Sequence, residues 1–332
     1  MTIEPPGLQA RVLTSWDEVP CDDWLAVTVP QRDHVFLTPT FQRAWWESVG
    51  PGDLRVVVVS CGHRPVALAP LFVAGGMAFF VGSGGSDYLD FVGAHDRPGV
   101  LELILRTARA EIPGFVGFRF HHVPDSSPTG HLLARAAPAL GLTCFDEGSL
   151  VAPRLSLTPE TLHEATTKKS LLRHERWLAS NGHLVIAHHT DNATIQGLLP
   201  EFFAQHQRRW RDTDSPSLLS DPQQQMLYRH LAFAGTAAGW LRFTEVRWND
   251  DPAAFHFGFS HAGTFLWYKP SFAIDLAARS PGEVLLRQLL LAAGGEQART
   301  FDFGLGDEPF KSRFASSVET VRTWGLYPEH DR

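Results

Sequence analysis

Two segments of the chain, separated by 183 residues, contain the same order of local sequence signals. Pro98-Gly99 opens a stretch with helical periodicity, and Phe118-Arg119-Phe120 lies in the strand-like run that follows. Pro281-Gly282 and Phe301-Asp302-Phe303 stand in the same relation, at the same offset (281 − 98 and 302 − 119). Self-similarity at a fixed offset indicates duplicated structural units. We therefore predict two similar halves, each with a strand, a helix and a second strand after a meander.

The length and composition of the chain agree with such a duplication. Its 332 residues suffice for two domains of roughly 150 residues each. A hydrophobic fraction of 44% is enough to fill two cores and is not typical of a disordered chain. We predict an N-terminal domain over residues 1–150 and a C-terminal domain over residues 151–332. Because both halves alternate strands with helices, the predicted fold class is α/β (α+β).

Glycine and proline punctuation divides the chain into predicted elements. Thr38 is a candidate helix cap, and Pro39 suits the first position of the helix that follows. The predicted helices cover 36–50, 98–110, 168–182, 201–210 and 281–293, and a further helix runs from the polar loop at 211–223 to Gly239. The predicted strands cover 55–61, 65–74, 77–82, 115–123, 183–189, 240–248, 253–261, 264–272 and 299–304.

The charge and the cysteines exclude several classes of protein. A formal net charge of −7 provides no global basic field for DNA or for an anionic membrane. No run of 18 apolar residues is present, so we expect no membrane insertion. The N-terminal sequence has no leader pattern, and Cys21, Cys61 and Cys144 have neither metal-like nor disulfide-like spacing. These features favour a cytoplasmic location.

The start of the helix at Pro281 is a candidate anion site. A helix N-terminus presents unpaired backbone N–H groups and the positive end of the helix dipole. Pro281 loses no needed donor there, Gly282 allows a ligand to approach the backbone, and Arg279 adds a positive charge. Taken alone, the same junction favours the alternative interpretation, an ordinary capped helix after a loop.

A second candidate site follows the strand at residues 299–304. Asp302 alternates with Phe301 and Phe303, so its side chain points to the opposite face of the strand. Gly304 and Gly306 permit a tight loop, and Lys311 is one of only four lysines in the chain. An aspartate beside a lysine suits acid–base or positioning chemistry. A structural salt bridge that closes the loop is the alternative interpretation of the same residues.

The run WYKPSFAIDL, then SPGEVLL, then FDFGLGDEPFKSRF resembles GNAT-superfamily acyltransferases related to the cellulose-biosynthesis protein CelD. The order and spacing match over about 60 residues, and FLTPTFQRAWW, SDYLDFVG, KKSLLRHERWLASNG and FFAQHQRRW extend the similarity. Fem-type aminoacyl-tRNA-dependent transferases share this fold. The resemblance implies two tandem GNAT-like domains, each a mixed twisted sheet flanked by helices. The usual pyrophosphate loop, Gln/Arg-x-x-Gly-x-Gly/Ala, is not intact here.

The resemblance also implies a donor and a set of site residues. The donor would be an acyl-CoA thioester, with its pyrophosphate at the turn from Arg279 through Ser280 and Pro281 to Gly282. Asp302, Gly306 and Lys311 fall where the family motif has its Asp, Gly and Lys, and Gly304 opens the same loop. Asp302 and Lys311 are the expected catalytic residues. Tyr268 joins them as a candidate because a strand N–H beside it would stabilise the developing oxyanion.

The acceptor is expected to be the amine of a small molecule or of an envelope or natural-product intermediate. Asp87, Tyr88 and Asp90 in the N-terminal half and Trp267 in the C-terminal half are candidate acceptor-side residues. His121-His122 and His188-His189 alternate across strands, so we expect no metal site. Two alternatives stay open: an aminoacyl-tRNA donor held by the basic helix 168–176, and a non-catalytic partner protein in polysaccharide assembly.

Overall fold

The computed structural model describes residues 7–19, 21–30, 33–211, 213 and 216–329. Residues 1–6, on which part of the expected absence of a leader rests, lie outside this part of the chain. The helices are α1 Cys21–Val27, α2 Pro39–Val49, α3 Val100–Ala110, α4 Thr129–Ala136, α5 Pro159–Thr166, α6 Lys169–Asn181, α7 Asn192–Trp210, α8 Pro222–Ala237, α9 Pro281–Gly295 and α10 Pro309–Ser312. The strands are β1 Leu8–Leu13, β2 Asp53–Cys61, β3 Arg64–Ala74, β4 Met77–Phe80, β5 Val92–Gly93, β6 Gly117–Pro124, β7 Leu142–Ser156, β8 Leu184–His189, β9 Leu241–Trp248, β10 Asp251–His261, β11 Thr264–Phe272, β12 Thr300–Asp302 and β13 Ser317–Pro328.

Contacts divide the chain into two compact units. The first comprises Met1–Val151 with Glu319–Arg332, and the second comprises Ala152–Val318. The sequence-based boundary assigned residues 319–332 to the second domain. These residues group with the first unit because β13 pairs with β6 in an antiparallel ladder. β7 begins in the first unit, and its last residues belong to the second.

In the first unit, the strands follow the order β1-β2-β3-β4-β6-β13. The first four strands pair antiparallel, whereas β4 and β6 pair parallel with α3 between them in the chain. The inward side chains of α3 pack on the sheet and form one core with Val57, Phe80 and Phe118. This element order is the one that the sequence repeat predicts.

The second unit repeats the arrangement. β8, β9, β10 and β11 form an antiparallel meander, α9 follows, and β12 then pairs parallel with β11. The last residues of β7 pair antiparallel with β12. The apolar face of α9 packs into a core that includes Phe265, Trp267 and Phe301. The predicted mixed α/β fold is therefore confirmed.

Within the described part of the chain, no helix combines the length and the apolar character that crossing a membrane requires.

Candidate functional site

A cleft lies where β11 and β12 separate. The parallel register of the two strands ends at the pair Leu266–Asp302, yet β11 continues to Phe272. The cleft beside this extension has a volume of about 230 Å³. We call it the α9 cleft. Its lining includes Trp267, Ser271 and Phe272 from β11, Ser280, Gly282 and Leu286 from the start of α9, and Arg209 and Phe310.

The start of α9 forms one end of the cleft. Ser280 has a left-handed backbone conformation with φ of 49°, and its side chain makes no capping hydrogen bond. Pro281 is the first helical residue and is buried. A Cβ atom at Gly282 would lie 3.3 Å from Cδ1 of Phe272, so a larger residue there would crowd the cleft. Ser280 and Gly282 thus lie where the sequence predicted a ligand-binding helix start.

Arg279 lies beside α6 and not among the described residues that line the α9 cleft. Its guanidinium carbon is 3.9 Å from the centre of the Trp177 ring on α6, and the residue is exposed. Its role as a pyrophosphate ligand stays a prediction.

The positive charge in the α9 cleft comes from Arg209, which the sequence analysis missed. Its guanidinium carbon is 4.1 Å from the centre of the Phe272 ring, and its Nη1 donates to the carbonyl oxygen of Pro270 at 3.0 Å. Burial lowers the pKa of Arg209 to about 10, so it stays charged at neutral pH. The sequence offered one signal for such a role: Arg209 stands between Arg208 and Trp210 at the end of a predicted helix.

Asp302 is fully buried and engaged by other protein groups. Its Oδ2 accepts a hydrogen bond from Nε of Arg154 at 2.9 Å, and its Oδ1 accepts one from the backbone N–H of Gly304 at 2.8 Å. The ion-pair partner of Asp302 is thus Arg154 on β7, whereas the alternative interpretation of the sequence was a salt bridge within the loop itself.

Lys311 is also buried and closes the loop after β12. Its Nζ donates to the carbonyl oxygens of Leu305 at 2.6 Å and Gly304 at 3.3 Å, and it pairs with Oε2 of Glu308 at 2.8 Å. Gly304 and Gly306 have φ angles of 68° and 116°, which glycine adopts without the strain that a side chain would impose. Asp302 and Lys311 therefore both hold the glycine loop, Asp302 at the N–H of Gly304 and Lys311 at the carbonyl oxygens of Gly304 and Leu305.

Trp267 and Tyr268 occupy different environments. Trp267 lines the α9 cleft. Tyr268 is nearly buried, with its ring centre 5.0 Å from that of Phe259 and 6.3 Å from that of Tyr228. This difference follows from the alternation of side chains along a strand.

The three acceptor-side candidates of the first unit differ in exposure. Asp87 is partly exposed. Tyr88 is buried and stacks on His34, with ring centres 4.7 Å apart. Asp90 is buried and accepts hydrogen bonds from the hydroxyls of Ser127 and Thr129, each at 2.5 Å. Of the three, only Asp87 offers its side chain to solvent in the described unit.

A second concave surface lies along α6, and we call it the α6 groove. It has a volume of about 470 Å³. Its lining consists of Lys169, Leu172, Arg173, Arg176, Trp177, Ser180 and Asn181. Three of these side chains are cationic, which makes the groove the basic patch that the sequence predicted on this helix.

The two units differ at the parallel strand pair. In the first unit, β4 ends at Phe80, one residue after its last pair with β6, Phe79–Arg119. In the second unit, β11 runs on from Leu266 to Phe272. Only the second arrangement leaves a length of strand beside the following helix start. Among the described residues, no three His, Cys, Asp or Glu side chains converge as metal ligands would.

Comparisons with known proteins agree with this geometry. The family model of the acetyltransferase (GNAT) domain matches residues 165–312. The fold is similar to that of FemX (TM-score 0.65, 11% identity, 96% of this chain and 97% of that chain). It is also similar to a tandem GNAT protein from the clavulanic acid biosynthesis pathway (TM-score 0.56, 13% identity, 98% and 100%). L-PGS from Bacillus licheniformis is a further similar structure (TM-score 0.54, 13% identity, 88% and 92%).

A search of curated proteins finds no match to the chain. The family match covers α6 to α10 and thus the whole α9 cleft. Two units of the same element order agree with the tandem GNAT fold. Residues 165–312 therefore form a GNAT-type acetyltransferase domain, and the protein is an enzyme of the GNAT N-acyltransferase type.

Proposed function

We propose that the enzyme transfers an acyl group from an acyl-CoA thioester to an amine, with the donor bound in the α9 cleft. The observation that carries this proposal is the extension of β11 beyond its pairing with β12, beside the start of α9. An open strand edge next to a helix N-terminus accommodates an extended chain that ends in phosphates.

The lining of the cleft fits such a donor. Trp267, Phe272 and Leu286 offer an apolar wall for the pantetheine arm. Ser280 and the helix start at Gly282 offer donors for phosphate oxygens. Ser271 supports the fit, because its hydroxyl is buried in the cleft wall without a partner among the described residues.

The proposed reaction is direct transfer. A neutral amine attacks the carbonyl carbon, a C–N bond forms, and the C–S bond breaks. The amine gives up its proton, and the sulfur leaves as the free thiol of CoA. The protein contributes orientation and removal of that proton, which are each worth several orders of magnitude in rate.

The roles of single residues remain proposals. Asp302 and Lys311 are candidates for proton transfer and substrate positioning, and their loop contacts provide the competing structural role. Tyr268 is the candidate beside the oxyanion. Asp87, Tyr88, Asp90 and Trp267 are the candidates on the acceptor side.

The finer relationships also remain proposals. We propose the CelD-like branch of the superfamily on the motifs around Asp302 and Lys311. We propose a cytoplasmic location because Cys21 and Cys144 are free thiols.

Calorimetry with CoA and acetyl-CoA tests the proposal. We expect one donor site per chain, because the first unit lacks the strand extension. Ligand at about 100 times its dissociation constant should add roughly 2.7 kcal/mol of stability, measured as a higher Tm. No heat and no shift of Tm with any CoA ester at millimolar concentration would rule out the thioester donor.

One observation favours a second candidate, an aminoacyl-tRNA donor. The α6 groove has a local cationic surface formed by Lys169, Arg173 and Arg176, although the net charge of the chain is −7. Binding of tRNA through phosphates would weaken steeply with salt. A Lys169→Ala, Arg173→Ala double variant should then lose tRNA affinity and keep CoA affinity. Equal tRNA binding by the variant and the unchanged protein would remove this candidate.

A further inference from the structure

Arg209 is a half-buried cation that the proposed acyl transfer leaves without a function. Its guanidinium carbon is 4.1 Å from the centre of the Phe272 ring and 5.0 Å from the centre of the Trp210 ring. Its one hydrogen bond within the described residues goes to the carbonyl oxygen of Pro270. A guanidinium carries five N–H donors, so most of its hydrogen-bonding capacity remains for a ligand.

The charge of Arg209 has no ion-pair partner among the residues that the structure describes. Glu308 favours its charged form at longer range, but the carboxylate of Glu308 pairs with Lys311 at 2.8 Å. Glu283 also lines the α9 cleft, and its Oε1 accepts from Nη1 of Arg313 at 3.1 Å. A half-buried cation without a partner is costly in the free protein, and an anionic ligand offsets that cost.

Ser271 provides an independent indication of a ligand. The residue is fully buried and lines the same cleft. Within the described part of the chain, its hydroxyl has no hydrogen-bond partner. Buried hydroxyls are nearly always hydrogen-bonded, so an unsatisfied one in a cavity wall indicates a polar group that enters the cavity.

The size of the cleft brings these groups within reach of one ligand. A volume of about 230 Å³ corresponds to fewer than ten liquid waters at ~30 Å³ each. Arg209, Ser271 and the start of α9 thus place donors around a small space, whose lining also includes the carboxylate of Glu283. A ligand oxygen that carries negative charge satisfies all three kinds of donor.

We infer that Arg209 and Ser271 bind an oxyanion of the ligand that occupies the α9 cleft. This inference rests on the proposed acyl-transfer function and assigns the anchoring charge to Arg209. Two sources in an acyl-CoA carry this chemistry: the phosphates of the CoA moiety, and a carboxylate at the end of the transferred acyl group. Arginine suits either, because its planar fork matches both kinds of oxygen pair.

The test compares four variants by calorimetry: Arg209→Met, Arg209→Lys, Ser271→Ala and Arg208→Met. Arg208 is the matched control, because it is the neighbouring residue of α7 but is exposed and pairs with Asp275 at 2.7 Å. The probes are CoA, pantetheine, propionyl-CoA and succinyl-CoA. We expect Arg209→Met to weaken binding of the oxyanion-bearing probe at least tenfold, Ser271→Ala to weaken it several-fold, and Arg208→Met to change it less than twofold.

The probes separate the two sources of the oxyanion. If Arg209 binds a phosphate of CoA, Arg209→Met weakens the binding of CoA, propionyl-CoA and succinyl-CoA alike and leaves the binding of pantetheine unchanged. If it binds an acyl carboxylate, the variant loses only the preference for succinyl-CoA over propionyl-CoA. Arg209→Lys keeps the positive charge but loses the planar guanidinium group. Its affinity for the probe should therefore lie between those of the unchanged protein and of Arg209→Met. If Arg209→Met fails to fold, the affinities of Arg209→Lys and Ser271→Ala for the same probes test the inference.

Failure of the inference differs from failure of the proposed function. Equal affinities of the unchanged protein, Arg209→Lys and Arg209→Met for every probe would overturn the inference and leave the thioester donor in place. If the unchanged protein binds no CoA ester, inorganic pyrophosphate is the second probe. Pyrophosphate binding that Arg209→Met abolishes would uphold the oxyanion site without the thioester, and no binding at all would overturn both.

Discussion

Asp302 on β12 and Arg154 on β7 face each other across an antiparallel ladder, and their side chains form an ion pair with 2.9 Å between Oδ2 and Nε. The carboxylate is almost completely buried, whereas Arg154 retains about a fifth of its side-chain exposure. The same carboxylate also accepts a hydrogen bond from the backbone N–H of Gly304. It therefore fixes the start of the loop that leads to Lys311. The pair thus joins the strand end to the glycine loop.

This relationship predicts the outcome of Asp302→Asn. We expect a loss of stability of roughly 1.5–3 kcal/mol, because a charge-assisted contact to Arg154 is weakened in a buried setting. The sequence motif predicts normal folding and loss of most activity instead. Chemical unfolding combined with turnover per folded molecule separates the two. A proton-transfer role requires a drop of at least about a hundredfold per folded molecule, and unchanged turnover leaves only the structural role.

Lys311→Met tests the second side chain that holds the glycine loop. The change removes the donor to the carbonyl oxygens of Leu305 and Gly304 and leaves them buried beside an apolar side chain. We expect destabilisation of about 1–3 kcal/mol and faster amide hydrogen exchange in residues 304–306. Lys168→Met is the control, because Lys168 pairs with exposed Glu164 on the surface. Exchange as slow as in the unchanged protein would contradict the loop-holding role.

Gly282→Leu should block the donor without unfolding the protein. Its side chain would grow from the start of α9 toward Phe272 and fill the α9 cleft. Gly295→Leu is the matched control, because a Cβ at Gly295, at the other end of the same helix, meets nothing within 4 Å. We expect CoA affinity to fall more than tenfold in the first variant and to persist in the second. Full CoA affinity in folded Gly282→Leu would place the donor elsewhere.

Gly99 is a poorer control than its place in the repeat suggests. It precedes α3 as Gly282 opens α9, but its φ of 79° makes any substitution strained. A bulky residue at Gly99 would therefore destabilise the fold through backbone strain, which is unrelated to ligand binding.

The sequence predicted local elements well because their signals are short-range. Thr38 caps α2 through a hydrogen bond from the N–H of Phe41, and Pro39 is the first residue of that helix, as predicted. The strand over residues 264–272 has its predicted bounds. In each case, Gly, Pro or a capping residue marks the boundary within one turn of the chain.

Features that depend on distant parts of the chain have no local sequence signal. β13 was not among the predicted strands, and its pairing with β6, about 200 residues earlier, could not be predicted from local patterns. Arg209 was not predicted as a site residue, because only the approach of the end of α7 to the end of β11 brings it into the α9 cleft. Local patterns carry no information on such approaches.

Asp87 and Asp90 should respond differently to alanine substitution. Asp90→Ala leaves the hydroxyls of Ser127 and Thr129 and the N–H of Phe91 without their acceptor, so we expect about 1–3 kcal/mol of destabilisation. Asp87→Ala removes a partly exposed charge and should destabilise the protein less than Asp90→Ala does. If Asp87 faces the acceptor, its variant raises the acceptor KM and leaves CoA affinity unchanged. An unaltered KM would remove Asp87 from the acceptor side.

Two buried histidines predict a loss of stability in mild acid. Burial lowers the pKa of His206 and of His256 to about 3, and the positive charges of Lys269 and Arg209 add to the effect at His206. In the unfolded chain each histidine has an ordinary pKa near 6.5.

Between about pH 6.5 and pH 3, the unfolded chain therefore binds protons that the folded protein does not, and the free energy of unfolding falls as the pH falls. The slope is about 1.4 kcal/mol per pH unit for each histidine, which amounts to about 2 kcal/mol each by pH 5. His206→Gln retains a partner for Ser217, whose hydroxyl lies 2.7 Å from Nδ1, and cannot titrate. Urea unfolding at pH 5 and pH 7 should show a smaller pH dependence in this variant, whereas exposed His131→Gln should behave as the unchanged protein does. The same pH dependence in all three proteins would contradict a neutral, buried His206.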